Sequence, residues 1–214
     1  MRHFAMASIV DLRIAELLAA RLCHELVGPV TAVENGVELL LDQDPGLDRE
    51  ALTLVAESAA RAGSRLQFYR FAYGFGGEGE AAGPPPFELA AGYFTASRIT
   101  CDYHERVRRM PLARQRLACN LLLTGAQALA RGGTLLLGED DAGNCGLRLD
   151  AAGEAAQLAP EQRAALALEA PLGALAARTV QAYFTGLVAR TQGLNLVAST
   201  LGAGRLRISS MPAA

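Results

Sequence analysis

The first part of the chain carries apolar side chains at helical spacing. Between residues 8 and 41 they recur every three or four residues, and this spacing predicts one long amphipathic helix. The members of this stripe are Leu18, Leu22, Leu26, Val30, Val33, Val37 and Leu40. Pro29 lies inside the stripe. We expect it to remove one main-chain hydrogen bond and to bend the axis without ending the helix, because the pattern continues beyond it.

A second apolar pattern follows a turn predicted at residues 42–46, where Asp, Pro and Gly are concentrated. Its spacing alternates strictly between three and four residues, which is a heptad pattern. Its members are Leu52, Val55, Ala59, Ala62, Leu66, Tyr69 and Tyr73. The two patterns together predict an antiparallel helical hairpin about 40 Å long.

A lone hairpin cannot bury both of its apolar stripes. We therefore expect two copies to pair across a two-fold axis into a four-helix bundle, which makes the protein a homodimer. The alternative is that the hairpin packs against the rest of its own chain.

A run rich in Gly and Pro at residues 74–86 divides the chain. It predicts a hairpin domain at residues 1–76, a linker at 77–86 and a second domain at 87–214. In the second domain we expect helices near residues 87–94, 112–129, 160–168 and 172–190, and strands near 98–103, 134–137, 146–150, 194–200 and 204–210. The sequence thus predicts an α+β protein, in which a helical hairpin is followed by an α/β sandwich.

The composition is that of an ordinary globular protein, with 214 residues, 51% hydrophobic side chains and a net charge of −2. The slight acidic excess argues against nucleic acid as the main partner, because binding to a phosphate backbone requires a basic surplus. No apolar run reaches the ~18 to 20 residues needed to cross a bilayer. The first residues lead into a charged helical pattern rather than an apolar signal segment. We therefore expect a cytoplasmic protein without a nucleic-acid or membrane partner.

Two further features of the composition exclude whole classes of chemistry. All 20 basic side chains are Arg, so no mechanism that uses a lysine applies. The cysteines lack the paired spacing of structural zinc sites, and we predict no metal site from them. These cysteines are Cys23, Cys101, Cys119 and Cys145.

His24 is the candidate for chemistry on the first helix. It lies two positions from both Leu22 and Leu26, or about 200° from each around the axis, so it points away from the apolar stripe. Its own side of the helix is polar, and Gly28, one turn later, leaves the main chain bare for another molecule to approach. The other members of this side are Arg21, Thr31, Asn35, Glu38 and Asp42. Spacing alone does not indicate an activity, because an exposed histidine on a helix is usually just a solvated residue.

The residues around His24 carry a resemblance to known proteins. Residues 22–30 read Leu-Cys-His-Glu-Leu-Val-Gly-Pro-Val. This run resembles the H-box of dimeric sensor histidine kinases, where His-Glu-Leu-x-x-Pro places the phospho-accepting imidazole on the outside of a helical hairpin. Over residues 18–40 and 66–74 the chain resembles the ChpT-type histidine phosphotransferases.

The resemblance implies a dimeric four-helix bundle followed by a degenerate kinase-like ATP-binding domain. It also implies a protein phosphotransferase of a bacterial phosphorelay, which relays a phosphoryl group between receiver-domain aspartates of a hybrid histidine kinase and of response regulators. His24 would be the phosphoacceptor, and an exposed imidazole suffices because this transfer depends on positioning and charge neutralisation. Glu25 would orient the imidazole, a role that rests on the resemblance because neighbouring residues of a helix do not face each other. The expected partner-binding residues are Arg21, Val27, Gly28, Thr31 and Asn35.

The nucleotide-binding boxes of such kinases are incomplete in this chain. Asn120 is followed by Thr124 and Gln127, where the kinases carry a second Asn and a basic residue. The turn at residues 150–154 has Ala in place of its first Gly, and only Gly173 remains of the second glycine-rich loop. A phosphate cradle needs bare main-chain amides and an oxygen ligand for Mg²⁺. We therefore expect no cofactor bound by this chain and Mg²⁺ supplied by the partner's receiver domain.

Two other functions stay open at this stage. One is a non-catalytic adaptor or inhibitor that binds receiver domains without accepting a phosphoryl group. The other, less favoured by the incomplete boxes, is an ATP-dependent histidine kinase.

Overall fold

The hairpin predicted from the first two patterns is present. The computed structural model describes residues 12–42, 48–74, 83–140 and 146–213. Helix α1 (Leu12–Leu41) continues through Pro29 as predicted, and helix α2 (Asp48–Tyr73) packs along it. Residues 8–11 of the first predicted helix and residues 43–46 of the predicted turn lie outside the described part of the chain. None of the described helices is both long and apolar enough to cross a membrane.

The rest of the described chain alternates helices and strands around one mixed sheet. The helices are α3 (Pro86–Phe94), α4 (Glu105–Arg108), α5 (Leu112–Gln127), α6 (Pro160–Leu166) and α7 (Val180–Arg190), with a 3-10 turn at Leu172–Ala174. The strands are β1 (Ile99–Tyr103), β2 (Gly133–Glu139), β3 (Leu147–Ala152), β4 (Leu194–Gly202) and β5 (Arg205–Pro212). Their order in the sheet is β1-β2-β3-β5-β4, with β1 parallel to β2 and every other pair antiparallel. The predicted α+β class is confirmed.

The helices cover one face of the sheet. Side chains alternate along the strands, so that Leu135 and Leu137 of β2 are buried while Leu136 between them is 47% exposed. Helix α5 lies at the centre of the core, with every side chain from Leu117 to Leu123 buried. It approaches the sheet closely at Gly125, where an added Cβ would lie 2.5 Å from a methyl carbon of Leu149.

Three local predictions need correction or completion. The helix predicted over residues 172–190 is wrong in its first half, because residues 172–174 form a 3-10 turn and α7 begins only at Val180. The Thr179 hydroxyl oxygen accepts a hydrogen bond from the N–H of Ala176 at 3.0 Å. This local bond gives the main chain an alternative to the helical hydrogen bond. Helix α4 was not predicted, and its start is capped by Nδ1 of His104. Helix α3 begins at Pro86, inside the predicted linker, whose residues 77–82 lie outside the described part.

The base of the hairpin is embedded in the rest of the chain, and its upper part is not. Phe68, Tyr69 and Ala72 near the end of α2 are at most 2% exposed and belong to the same core as α3 and α5. Further up, large apolar side chains remain exposed on both helices, namely Val27, Val30, Val37, Leu39, Leu41, Leu52, Leu54 and Leu66. The chain therefore buries the lower end of its hairpin by itself and leaves much of the remainder open.

Candidate functional site

His24 is exposed on the outer side of α1. The inner side of this helix is marked by Pro29 and Gly36, which are buried. At about 100° per residue, His24 lies about 140° from Pro29 and about 120° from Gly36 around the axis. The fold thus presents the imidazole to solvent, as the spacing predicted.

A polar, open strip continues along α1 beside His24. Gly28, Thr31 and Asn35 are exposed, and an added Cβ at Gly28 would meet nothing within 4 Å. Val27, 63% exposed, borders the strip. The four predicted partner-binding residues other than Arg21 therefore share one accessible surface with His24.

Arg21 occupies a different environment from the rest of the predicted surface. Its side chain is half-buried among the phenols of Tyr69, Tyr73 and Tyr93, and its Nε is buried without a hydrogen-bond partner in the described part of the chain. Burial lowers the pKa of the Arg21 guanidinium, but the nearby phenols and Glu25 outweigh that effect and raise it. Arg21 therefore remains a cation beneath the edge of the strip.

Three tyrosine side chains surround Arg21 on its buried side. The hydroxyls of Tyr69 and Tyr93 are 3.1 Å apart, and the Tyr73 hydroxyl donates to Oε1 of Gln181 on α7 at 2.8 Å. Burial raises the pKa of all three phenols, that of Tyr73 to about 12. The phenols therefore stay neutral through the physiological range and link the hairpin to the second domain by hydrogen bonds.

Glu25 points inward, toward α2. Its Oε2 is 3.1 Å from Nη1 of Arg65, and the same Nη1 donates to the main-chain oxygen of Glu25 at 2.5 Å. Among the described residues, no hydrogen bond joins Glu25 to the imidazole of His24. The orienting role of Glu25 remains a prediction.

Arg65 is not among the site residues predicted from the sequence. In the sequence, Pro29 indicates that such a residue is needed. Pro29 has no N–H, so the carbonyl of Glu25, four residues earlier, lacks its helical donor.

The residues at the nucleotide-box positions bind other parts of the protein. Asn120, fully buried, donates to the carbonyl of Ala72 at 2.6 Å and accepts from Gln181 at 3.1 Å. Thr124, also fully buried, is 2.8 Å from the hydroxyl of Thr185 on α7. These two side chains join α5 to the hairpin and to α7.

Asp150, in the remnant of the glycine-rich turn, also binds other side chains of the protein. Both of its carboxylate oxygens accept from Arg207, at 2.6 and 2.9 Å, and Arg148 lies 3.4 Å away. In the described ranges, no group of three or more His, Cys, Asp and Glu side chains is arranged to hold a metal ion.

This architecture is that of a histidine phosphotransferase. Residues 87–204 match the family model described as the histidine phosphotransferase C-terminal domain. The chain belongs to this family, which makes it a protein phosphotransferase with a phosphotransfer role in a phosphorelay. The predicted family and activity are confirmed.

Two known proteins are similar to the chain over nearly its whole length. The protein phosphotransferase ChpT of Brucella abortus (strain 2308) is 31% identical over 195 residues, which cover 86% of this chain and 89% of that protein. A solved 1.7 Å structure of a bacterial phosphotransferase matches with a TM-score of 0.72 and 28% identity, over 95% of this chain and 98% of the other.

Proposed function

We propose that His24 is the residue that carries the phosphoryl group, and that it exchanges the group with aspartates of receiver domains. The observation that carries this proposal is the exposed imidazole on an open polar strip of α1, inside a chain of the histidine phosphotransferase family. Of the three histidines, His104 instead caps α4 with its Nδ1, and His3 lies outside the described residues.

The chemistry needs little from the chain beyond an accessible ring nitrogen. The lone pair of the unprotonated nitrogen attacks phosphorus, the bond between phosphorus and the aspartate oxygen breaks, and the electron pair leaves with the carboxylate. The ring then loses the proton of its other nitrogen to solvent or to a neighbouring base. Mg²⁺ held by the partner's receiver domain supplies charge neutralisation at the transferred group. Transfer to a second receiver is the reverse of this step.

The surface around His24 suits the docking of a receiver domain. Val27, Gly28, Thr31 and Asn35 are accessible and follow one another along the strip. We place Arg21 at its edge as a cation, and we assign to Glu25 the orientation of the imidazole. The partners are receiver domains of a hybrid histidine kinase and of response regulators. A cytoplasmic location belongs to the same proposal, because phosphorylating those receivers requires ATP.

Transfer of label from a phosphorylated receiver tests this proposal. The purified chain is incubated with the phosphorylated receiver of a hybrid kinase, without free ATP, and acid-labile label is followed on the wild type, on His24→Ala and on His104→Ala. We expect label on the wild type and on His104→Ala and none on His24→Ala, because of the two described histidines His24 is the one with an exposed imidazole beside the open strip. His104→Ala is the matched control, since it removes the other described histidine.

The same experiment discriminates the remaining functions. Binding of the receiver without label on the wild type would contradict the proposal and favour a receiver-binding adaptor. Label on His24→Ala would place the acceptor elsewhere. Label that appears with ATP and Mg²⁺ alone would indicate a kinase.

We further propose that the protein is a homodimer in which two hairpins form a four-helix bundle. The exposed apolar side chains Val30 and Val37 of α1 and Leu52 and Leu66 of α2 are 42% to 57% exposed. At about 100° per residue they flank the contact between α1 and α2 on one side, opposite His24. A continuous apolar face of this kind is typical of an interface, and pairing through it leaves both His24 strips accessible.

A pair of substitutions on one helix tests the dimer. Val37 and Leu39 are 42% and 39% exposed, but they lie about 200° apart around α1. We expect Val37→Asp to convert the protein to a monomer and Leu39→Asp to leave the dimer intact, as measured by analytical ultracentrifugation. Equal behaviour of the two variants, or a monomeric wild type, would contradict the proposed interface.

A further inference from the structure

Arg65 of α2 reaches across the hairpin to the residue that follows His24. Its Nη1 contacts two atoms of Glu25, the carboxylate Oε2 at 3.1 Å and the main-chain oxygen at 2.5 Å. The two side chains are only 28% and 26% exposed. An ion pair shielded to this extent holds its geometry better than one on the open surface.

The main-chain contact has a cause in the sequence. In an α-helix the carbonyl of each residue accepts from the N–H four residues later, and four residues after Glu25 stands Pro29, which has no N–H. A half-buried carbonyl without a donor is unfavourable. Arg65 supplies the donor that Pro29 lacks.

We propose that Arg65 is a positioning residue for phosphoryl transfer at His24. It acts through Glu25. It donates to the main-chain oxygen of Glu25, which Pro29 leaves without a helical donor. It also holds the Glu25 carboxylate by Oε2, which leaves Oε1 for the imidazole. The proposal rests on the proposed function of His24 as phosphoacceptor. Arg65 itself contacts neither the phosphoryl group nor the receiver.

The position of this turn matters because His24 is carried on it. In-line transfer to a ring nitrogen depends on the distance and angle of attack, and a displacement of about 1 Å costs roughly 100-fold in rate. Without Arg65, a half-buried carboxylate loses its cation and a carbonyl loses its donor in the turn that bears the acceptor. Docking of the receiver, which uses the exposed strip, does not depend on these contacts.

The test compares three variants of Arg65 with a matched control. Arg65→Ala removes both contacts, Arg65→Lys keeps the charge, and Arg65→Gln keeps a donor without charge. The control is Arg61→Ala, which removes the same charge one turn away on an exposed part of α2. We expect Arg65→Ala to lower the maximal transfer rate about tenfold with the KM for the phosphorylated receiver within twofold of wild type. Arg65→Lys and Arg65→Gln should each recover part of the rate, and Arg61→Ala should behave as wild type.

Pro29→Ala separates positioning from a general loss of stability. Alanine returns an N–H to the Glu25 carbonyl, so Arg65→Ala should cost less in a Pro29→Ala background than in the wild type. All rates are divided by the folded fraction, measured by circular dichroism at the assay temperature. Hydrogen exchange of the amides of residues 25–32 gives a readout apart from activity, and it should be faster in Arg65→Ala.

The outcomes separate this inference from the proposed function. Label that does not depend on His24 overturns both. If label depends on His24 but Arg65→Ala transfers at the wild-type rate, or slows only in proportion to its folded fraction, the role of Arg65 is overturned and that of His24 stands. A rise in KM with an unchanged maximal rate also overturns it, since that result would make Arg65 a docking residue.

Discussion

Neighbouring side chains of α1 face different environments because each step along the helix turns the direction by about 100°. Cys23 and His24 are exposed, whereas Glu25 turns inward to Arg65. The sequence predicted the outward direction of His24 from its distance to the apolar stripe. The partner of Glu25 is forty residues away in the sequence. It could not be predicted, because helical spacing relates only residues of one helix.

At the residue scale, Gly28 offers a direct test of docking beside His24. Neither Gly28 nor Gly173 has an atom within 4 Å of an added Cβ, and both are exposed, so a longer side chain can extend into solvent at both positions in the free protein. We expect Gly28→Gln to fold normally but to raise the KM for a phosphorylated receiver by about tenfold, because its side chain occupies the space that a docked partner needs. Gly173→Gln, in the exposed 3-10 turn of the second domain, is the matched control. If both variants transfer with the wild-type KM, receivers do not dock on this strip.

At the element scale, the heptad pattern of α2 combines two stripes. Tyr69 is buried and Val55 partly buried, while Leu52 and Leu66 are 57% and 49% exposed. The side that α2 buries also contains Ser58, which is 7% exposed and does not register in an apolar pattern. Hydrophobic spacing therefore predicted the helix and its length, but small and polar residues decide which side faces α1.

The same limit applies in the second domain. Its strands were predicted within a few residues, because alternating side chains on a half-covered sheet leave a clear signal. The sequence predicts one helix over residues 172–190, and its first part is wrong. The hydrogen bond between Thr179 and Ala176 and the burial of Leu175 decide its actual course. The hydrogen bond is local, but the burial of Leu175 depends on the tertiary structure.

Two glycines of α1 differ in what surrounds them, and this difference predicts opposite effects on stability. Replacing a helical glycine by alanine gains about 1 kcal/mol from helix propensity. At Gly36, however, the new Cβ would lie 2.6 Å from a methyl of Val55 and 3.2 Å from the Ala51 carbonyl oxygen. Overpacking of this kind costs about 1 to 3 kcal/mol. We expect urea unfolding to show Gly28→Ala more stable than wild type and Gly36→Ala less stable. A gain in both would mean that the helices separate easily at Gly36.

At the scale of the whole molecule, α5 ties the second domain to the hairpin. Asn120 and Arg116 donate to the last carbonyls of α2, those of Ala72 and Tyr73, where a helix end needs donors. The positive charge of Arg116 at a helix C-terminus is favourable as well. The sequence showed that the box around Asn120 is incomplete, but not that its side chain binds the hairpin. That contact spans 48 residues.

Tyr73 makes the stability of this junction sensitive to alkaline pH. Burial raises its pKa to about 12, with Tyr93 and Glu25 adding to the rise and Arg21 opposing it, against about 10 in an unfolded chain. Between those values the folded protein keeps the phenolic proton while the unfolded chain releases it. The free energy of unfolding is therefore unaffected by this group below pH ~10, and it falls by about 1.4 kcal/mol per pH unit as the pH rises toward 12.

We expect urea unfolding of the wild type to show a lower free energy at pH 11 than at pH 9. Tyr73→Phe loses the hydrogen bond to Gln181 at both pH values, but its decrease between them should be smaller by about 1 kcal/mol, since it has no proton to release. An equal decrease in the two proteins would show that the Tyr73 hydroxyl ionises as freely in the folded state as in the unfolded one, and that the junction does not shield it.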